Sequence, residues 1–351
     1  YETLSGYSGV GYQALTKVEK SSNSANQIAV GYLPATAQTT KTRAKLTFTA
    51  TTTTTYFAYN FGMAADDKTA EIKLGNFEIS EETLYGQQLE RFPSPMCGGK
   101  IFDGWYTSAT GGTKITVSTM VPAVNTTYYA HWVDAVARIG TSTDEKAGDK
   151  FFTTLQSAIN NAATSGDKIY MLKSQELSGT VGTIPSGKTI ELNLNKFTIS
   201  TTSTTAPTLV NSGILTVTGG KISGSYRGIH NKSSGKLTIL TNSAAGTLTI
   251  NTTQEAIYNE GTSSTSSSPS VTISEGATLA ATSAITFRNA STGYVIIKNS
   301  TLTNGLKNVV QNSSTGTISI SQSTIKQTNE ANSGIGNSTT GKIIVENVTI
   351  D

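Results

Sequence analysis

The stretch that decides the fold reads Gly228-Ile-His-Asn-Lys-Ser-Ser-Gly-Lys-Leu-Thr-Ile239, and variants of it return through the last third of the chain. The variants share an early apolar residue, a nearby Asn and a following strand-like stretch. They begin at Ala256, Ala284, Val309 and Gly334. Counted between the apolar anchors, the spacings are 28, 28, 24 and 26 residues. The anchors are Ile229, Ile257, Ile285, Val309 and Ile335. A repeat of this length predicts a solenoid.

Within the copies, apolar residues alternate with Thr, Ser or Lys, as Leu237 and Ile239 do around Thr238. This two-residue period is typical of a β-strand with one buried face. Each strand is too short to be stable alone, and the Gly and Asn residues between strands favour sharp turns with positive φ. Stacked copies would bury a continuous column of Ile, Val and Leu and give each strand two neighbours. The pattern therefore predicts a parallel β-helix.

Four asparagines that follow the anchors support stacking. They are Asn231, Asn259, Asn312 and Asn337. In a solenoid they would lie above one another and hydrogen-bond along the axis, as amide ladders do in cross-β stacks. The alternative is a set of ordinary turn asparagines. Several of them, with Asn289, also open Asn-x-Ser or Asn-x-Thr triplets. In a chain this rich in Asn, Ser and Thr, chance explains the triplets better than glycosylation.

The composition excludes several classes of function. Charged residues make up 14% of the 351 residues and the net charge is +3. Such a chain has no strong field for nucleic acid or an anionic membrane surface, so we expect neither as a partner. The single cysteine, Cys97, cannot form a disulfide within the chain and is expected to be a small buried residue. No run of about 18 apolar residues indicates a membrane span.

The first 70 residues predict a small all-β domain, similar to a sandwich. Tyr and Val alternate there with polar residues, and Gly and Ser interrupt the pattern. The candidate strands include Ala44–Ala50 and Tyr56–Phe61, where β-branched and aromatic residues favour extended backbone.

Residues 71–134 carry two specific phrases, Phe102-Asp-Gly-Trp-Tyr-Thr107 and Thr127-Tyr-Tyr-Ala-His-Trp132. This stretch resembles the Listeria-Bacteroides repeat, the B-repeat module of internalin-like surface proteins. The usual Asn-Gly-Gly turn of that family is replaced here by Leu74-Gly-Asn-Phe77. The resemblance implies a small β-grasp-like module of secreted and surface-anchored bacterial proteins, serving as a spacer or interaction unit.

The aromatic residues of this module have two interpretations. Trp105 and Trp132 could stack on sugar rings, but an indole buries so much area that we expect both in the core of so small a module. His131 alternates with Trp132 and is expected to face solvent.

A connector is expected at 134–149, followed by a short helix at 153–163. The helix is indicated by one apolar stripe and by the capping-box spacing of Thr153 and Gln156. The stripe consists of Leu155, Ala158, Ile159 and Ala162. With the strand that begins at Asp167, this pattern resembles the opening of bacterial right-handed β-helix domains, in which a helix covers the first coil. Such a cover hides unpaired strand edges and apolar core.

The predicted domains are therefore residues 1–70, 71–134 and 135–351, the last a right-handed parallel β-helix, and the fold class is all-β. The sequence given ends directly after the strand Val348-Thr-Ile350. A solenoid that ends on a strand lacks a cap. We therefore expect that the solenoid is truncated here, that a further domain follows, or that this last coil makes an end-to-end or dimer contact.

β-Helices also host polysaccharide lyases and glycoside hydrolases, whose chemistry needs paired carboxylates or a calcium-binding cluster. Between Lys168 and Ile350 there is no Asp, and the Glu residues are scattered. Glu255 and Glu260 alone lie close together in sequence, and they would be the catalytic pair of an enzyme. The favoured interpretation is that they are solvated turn residues. If the coils stack in register, one of them lies near a set of candidate ligand-binding residues. This set is Tyr226, Arg227, His230 and Tyr258.

The sequence shows no metal-ligand spacing, phosphate loop or nucleophile elbow, so we expect no metal, cofactor or catalytic residue. The leading hypothesis is an exported, non-enzymatic protein of the bacterial cell surface that binds a glycan or protein of a host or the environment. Its signal peptide and anchor would lie outside this sequence. The first alternative is a carbohydrate-active lyase or glycosidase that uses Glu255 and Glu260. The second is a structural stalk.

Overall fold

The computed structural model describes residues 88–89, 92–164, 166–241 and 246–351, together with the backbone of five strands within residues 1–87. In this described part, 34 strands and one helix of seven residues make the chain nearly all-β, as predicted. Contacts divide the chain into two units, Tyr1–Leu84 and Tyr85–Asp351. The three-domain division remains a prediction. No helix in the described residues combines the length and the apolar sequence that a membrane span requires.

The described strands of the first unit form two antiparallel groups. They are β1 (Glu2–Thr3), β2 (Ala14–Glu19), β3 (Gln27–Tyr32), β4 (Tyr56–Phe61) and β5 (Ile72–Lys73). Among them, β2 lies between β3 and β4, and β1 pairs with β5. β4 coincides with the strand predicted at Tyr56–Phe61. The strand predicted at Ala44–Ala50 and the sandwich-like packing of residues 1–70 lie outside the described residues.

The described part of residues 71–134 is built on an antiparallel hairpin of β6 (Lys100–Tyr106) and β7 (Tyr129–Asp134), with a bulge near Gly104. The half-buried rings of Trp105 and Trp132 both meet Phe102 edge to face, at centroid distances of 5.6 and 5.5 Å. This packing is typical of an aromatic core and agrees with the structural interpretation of the two indoles.

Two expectations for this module are wrong. His131 does not simply face solvent, because its ring stacks on Tyr106 at 3.9 Å and its Nε2 lies 2.9 Å from the carbonyl oxygen of Ser108. Cys97 is exposed instead of buried. The local alternation predicts the face on which His131 lies, but not that a neighbouring ring covers this face.

Residues 167–350, apart from 242–245, form a parallel β-solenoid of eight coils, as the repeat predicts. Each coil supplies strands in turn to three parallel sheets, here called A, B and C. Sheet A takes β10 (Asp167–Met171), β13 (Thr189–Asn193), β16 (Ile214–Thr218), β19 (Lys236–Leu240), β24 (Val271–Ile273), β27 (Tyr294–Lys298), β30 (Thr317–Ser321) and β33 (Lys342–Glu346). Sheet B takes β11 (Gln175–Leu177), β14 (Thr198–Thr201), β17 (Gly220–Gly224), β20 (Leu248–Thr252), β25 (Thr278–Ala281), β28 (Thr301–Asn304), β31 (Thr324–Gln327) and β34 (Thr349–Ile350).

Sheet C takes β12 (Gly182–Ile184), β15 (Leu209–Asn211), β18 (Ile229–Asn231), β21 (Ile257–Asn259), β26 (Phe287–Asn289), β29 (Val310–Asn312) and β32 (Ile335–Asn337). A small hairpin of β22 (Ser264–Thr265) and β23 (Ser268–Pro269) projects between β21 and β24. Inward-facing side chains stack in register along each sheet, and in sheet A the column includes fully buried Leu215, Leu237 and Val271. Burying one such side chain contributes about 1.5–3 kcal/mol.

A ladder of buried amides runs along the end of sheet C. Its members are Asn211, Asn231, Asn259, Asn289 and Asn312. From each Nδ2 to the next Oδ1 the distances are 2.8, 2.8, 2.8 and 3.0 Å, and all five residues are fully buried. The stacking prediction is therefore confirmed for three of its four asparagines. Asn337 pairs in register with Asn312, as predicted, but it is exposed and is not joined to the ladder by an amide hydrogen bond: Nδ2 of Asn312 donates to the carbonyl of Gly316, and Nδ2 of Asn337 to that of Gly341.

The register also corrects two of the anchors chosen from the sequence. Ile257 pairs with Phe287, and Phe287 with Val310, so Ile285 and Val309 are not equivalent to the other anchors. From Ile229 through these paired residues to Ile335 the spacings are 28, 30, 23 and 25 residues. The connections between sheets B and C cause the error, because they contain four residues at 253–256 and five at 282–286.

A hairpin covers the edge of sheet A at the first coil. Here β8 (Ala137–Gly140) pairs antiparallel with β10, and β9 (Lys150–Phe152) pairs with β8. The expected connector at 134–149 thus contains a strand. Arg138 on β8 is fully buried, with Nη1 2.5 Å from Oδ2 of Asp149. Its guanidinium also lies 4.5 Å from the ring centroid of Tyr170. The ion pair joins the two halves of the hairpin.

The helix α1 (Leu155–Asn161) covers the core of the first coil. Its apolar stripe is buried, as the sequence pattern requires. The N-cap is Thr154, whose Oγ1 accepts a hydrogen bond from the N–H of Ser157, so the capping box expected from Thr153 is wrong. At the other end, Nζ of Lys188 donates to three helix-end carbonyls at 2.7, 3.0 and 2.8 Å. A cation there also complements the helix dipole.

The amide ladder predicts a large difference between two asparagines. Asn259→Ala removes a side chain that bonds to both neighbouring ladder amides and leaves their groups unsatisfied in the core. We expect the free energy of unfolding to fall by about 1–3 kcal/mol. The matched control is Asn337→Ala at the exposed end, for which we expect a change within about 0.5 kcal/mol. Urea denaturation followed by circular dichroism measures both, and equal effects would contradict the ladder's role.

The capping hairpin gives a second prediction. Asp149→Ala leaves Arg138 as an uncompensated buried charge, so we expect the free energy of unfolding to fall by about 3–5 kcal/mol. Asp144→Ala removes the same charge from an exposed position of the same loop and should leave the unfolding transition nearly unchanged. Thermal unfolding of the two variants beside the parent chain tests this, and a stable Asp149→Ala variant would show that the pair is dispensable.

Candidate functional site

The middle residues of the sheet C strands face outward, because the residues on either side of them point into the core. In four successive strands these residues are His230, Tyr258, Arg288 and Gln311, paired in register. Neighbouring strands lie about 4.8 Å apart, so the four side chains form one column on the outside of the solenoid. The turns before and after each strand bring further polar side chains to the same surface.

Arg227 lies in the turn before β18 and is held by aromatic rings. Its Cζ lies 3.8 Å from the ring centroid of Tyr258 and 5.0 Å from that of Tyr226. Its Nε donates a hydrogen bond to Oε2 of Glu255 at 3.0 Å. Cation–π contacts together with this charged hydrogen bond fix the orientation of the guanidinium group.

Glu255 lies between two arginines. The residue is 6% exposed, and its second oxygen, Oε1, lies 3.9 Å from Nη1 of Arg288. Arg288 in turn donates from Nε to Oγ of Ser313 at 3.3 Å. A buried carboxylate requires compensation by cations or hydrogen bonds, and the two guanidinium groups supply it.

His230 is the first residue of the column and is largely buried. The residue is 8% exposed, its Nε2 lies 2.9 Å from Oε2 of Glu260, and its ring meets Tyr258 edge to face at 5.1 Å. Nζ of Lys232 lies 3.7 Å from the same carboxylate oxygen. Burial lowers the pKa of His230, the hydrogen bond and charge of Glu260 raise it, and the charges of Lys232 and Arg227 lower it further. The net effect is a lowered pKa, which favours the neutral imidazole at pH 7.

The structure thus brings all six sequence-predicted candidates together on two successive coils, through the contacts given above. It adds Lys232 and Arg288, which the sequence reasoning missed. An alignment of the copies on the asparagine that ends each sheet C strand would have found Arg288. Arg288 directly precedes Asn289, just as Tyr258 directly precedes Asn259. We call this surface the sheet C patch. It consists of Tyr226, Arg227, His230, Lys232, Glu255, Tyr258, Glu260 and Arg288.

The chemistry of the patch is that of fixed donors and acceptors. Glu255 faces Arg227 and Arg288 with its two oxygens, and Glu260 faces His230 and Lys232 with Oε2. Among the described residues, no group of three or more His, Cys, Asp and Glu side chains is arranged to hold a metal ion. A β-helix is compatible both with carbohydrate-active enzymes and with proteins that are not enzymes.

Comparison with known proteins identifies the module that precedes the solenoid. Residues 71–131 match the family model of the Listeria-Bacteroides repeat domain, as their sequence phrases predict. No curated protein and no solved structure matches the chain. The repeat is typical of surface and secreted proteins, and together with the β-solenoid it indicates a bacterial surface protein. The match ends before the solenoid and therefore leaves the sheet C patch unassigned.

The contacts of His230 predict its titration. In NMR titrations of the two histidines, we expect the midpoint of His230 to lie below the ordinary value of about 6.5. Glu260→Gln removes a group that raises this pKa, so the midpoint should fall further. Glu191→Gln, which changes the same charge beside Lys168 on sheet A, should leave the midpoint unchanged. A higher midpoint in the Glu260→Gln variant would contradict the geometry.

The same shift makes stability depend on pH. Because the folded pKa of His230 lies below the unfolded one, the unfolded chain binds more protons as the pH falls below about 6.5. His230 therefore lowers the free energy of unfolding as the pH falls through its folded pKa. His230→Gln should remove this part of the pH dependence in denaturation curves between about pH 7 and 5.

Proposed function

We propose that the protein is an exported, extracellular protein of the bacterial cell surface that binds a saccharide, as an adhesin does, through the sheet C patch and without chemical turnover. A glycan of a host or of the environment would be the partner. The solenoid would hold the patch rigid, and the preceding repeat module would serve as a spacer or a second interaction unit.

The observation that carries the proposal is the concentration of unusual side chains in one place. Within residues 167–351 the sequence has two arginines, one histidine and four tyrosines. Both arginines, the histidine and two of the tyrosines lie in the patch. Elsewhere the outward positions of the described strands carry mainly Thr, Ser and Lys. Aromatic and arginine side chains are enriched where proteins bind partners.

The arrangement favours binding over hydrolysis. A glycosidase needs one carboxylic acid to protonate the leaving oxygen and a second carboxylate to act as base or nucleophile. Here Oε2 of Glu255 accepts from Arg227 and Oε2 of Glu260 lies against His230, so each carboxylate already has a partner within the patch. A lyase or glycosidase that uses Glu255 and Glu260 is the alternative, and a structural stalk is the second alternative.

The location at the surface is supported by two features. The repeat module at 71–131 is typical of surface and secreted proteins. The low charge content of 14% and the abundance of Thr, Ser and Asn suit repetitive β structure outside the cell.

A glycan-array screen of the purified chain tests the proposal, run beside an assay for reducing ends and unsaturated products on the same polysaccharides. We expect binding without turnover. Tyr258→Ala removes the ring that holds Arg227, so binding should weaken roughly tenfold or more. Tyr294→Ala, a half-buried tyrosine on sheet A, is the matched control and should bind like the parent chain.

Each other outcome supports an alternative. Turnover that Glu255→Gln or Glu260→Gln abolishes would establish the enzyme and overturn the proposal. If the Tyr258→Ala variant binds as well as the parent chain, the binding site lies outside the patch. No signal in either assay would favour the stalk.

A further inference from the structure

We propose that the saccharide carries an anionic group, either a carboxylate or a sulfate ester, and that the guanidinium groups of Arg227 and Arg288 bind this group together. This inference rests on the proposed function. The tyrosines of the patch are then positioning residues for these arginines, and not platforms on which the sugar stacks.

The first step concerns the tyrosines. One side of the Tyr258 ring is taken by the guanidinium of Arg227 at 3.8 Å, and its surroundings include Arg288 at 5.6 Å and the edge-on ring of His230. Tyr226 likewise contacts Arg227. A guanidinium group therefore lies over one face of each ring, and that face is not open to a sugar.

The second step concerns free donors. Arg227 and Arg288 each make one side-chain hydrogen bond to the described residues, from Nε of Arg227 to Glu255 and from Nε of Arg288 to Ser313. Their terminal nitrogens make no hydrogen bond to described residues, and none of them is a fully buried unsatisfied atom. The side chains are 19% and 38% exposed, so their terminal N–H groups reach solvent.

The third step concerns charge. The patch holds three cations, Arg227, Arg288 and Lys232, against the two carboxylates, and His230 is neutral at pH 7 because burial lowers its pKa. With three cations and two carboxylates, the patch has one positive charge in excess. Glu255 contacts both arginines, with Oε2 3.0 Å from Nε of Arg227 and Oε1 3.9 Å from Nη1 of Arg288. An anion with several acceptor oxygens suits two guanidinium groups, because guanidinium groups bind carboxylate and sulfate-like oxygens in pairs.

The residue types fit this role. The other cations of residues 167–351 are all lysines, and both arginines lie at this one site. Lysine provides an equal charge but no planar fork, so a site that needed charge alone would not require arginine.

The experiment uses the full chain and an array with three sets of probes: neutral oligomers of hexoses, oligomers of galacturonic and alginate uronic acids, and sulfated chondroitin and carrageenan oligomers. Each glycan that binds is retested after reduction of its carboxyl groups and after removal of its sulfate esters. We expect binding to the anionic probes and its loss after one of the two treatments, which identifies the group recognised.

Three variants test the residues. Arg288→Gln should weaken binding roughly tenfold or more, and Arg288→Lys should restore only part of it because the fork is absent. Lys326→Gln removes the same charge from an exposed position on sheet B and should have no effect. The binding should also weaken between low and high salt.

The outcomes separate this inference from the proposed function. The inference would be overturned if neutral and anionic probes bound equally, if Arg288→Gln bound as well as the parent chain, or if Arg288→Lys restored binding completely. Saccharide binding itself would still be supported. Binding of none of the three probe sets would overturn both.

Discussion

The buried amide ladder is the interaction on which the register of the solenoid depends. Stacked Ile, Leu and Val side chains pack acceptably in several alignments, since the hydrophobic effect has no direction. An amide in the core is different, because a slip of one residue would leave its donors and acceptors unsatisfied. Asn231, for example, bonds to Asn211 and Asn259 and also to the carbonyl of Gly235. The turn glycines belong to the same constraint, because a side chain at Gly235 or Gly261 would collide with the Asn231 amide.

The ladder also places the sheet C patch. Each ladder asparagine ends its strand and points inward, so the residue directly before it points outward. Fixing Asn231, Asn259 and Asn289 in line therefore fixes His230, Tyr258 and Arg288 in line on the other side of the sheet. The flanking turns start and end at these strands. Their charged residues thereby come within hydrogen-bond distance of residues on the next coil, although 28 and 30 positions separate Arg227 from Glu255 and His230 from Glu260 in the sequence.

Much of this arrangement could be predicted from the sequence, and the limits have physical causes. Alternation with a period of two and recurrence every few dozen residues predict the solenoid, because only stacking buries such short strands. The exact register could not be read from apolar residues, since Ile285 and Val309 sit in turns of variable length beside the true strand residues Phe287 and Val310. The Asn positions carry the better signal. Arg138 was missed for another reason: a buried arginine requires Asp149 and Tyr170, whose approach depends on the tertiary fold.

The patch also shows how a chain with few charges can present a well-defined polar surface. A flexible arginine loses side-chain entropy when a ligand orders it, and this loss weakens binding. Arg227 has already lost that freedom on folding, because two rings and a carboxylate hold its guanidinium group. The desolvation cost of burying Glu255 is offset within the same network by the two arginines. The side-chain entropy of Arg227 is therefore lost on folding and not on binding, and its terminal N–H groups are already oriented when a partner binds.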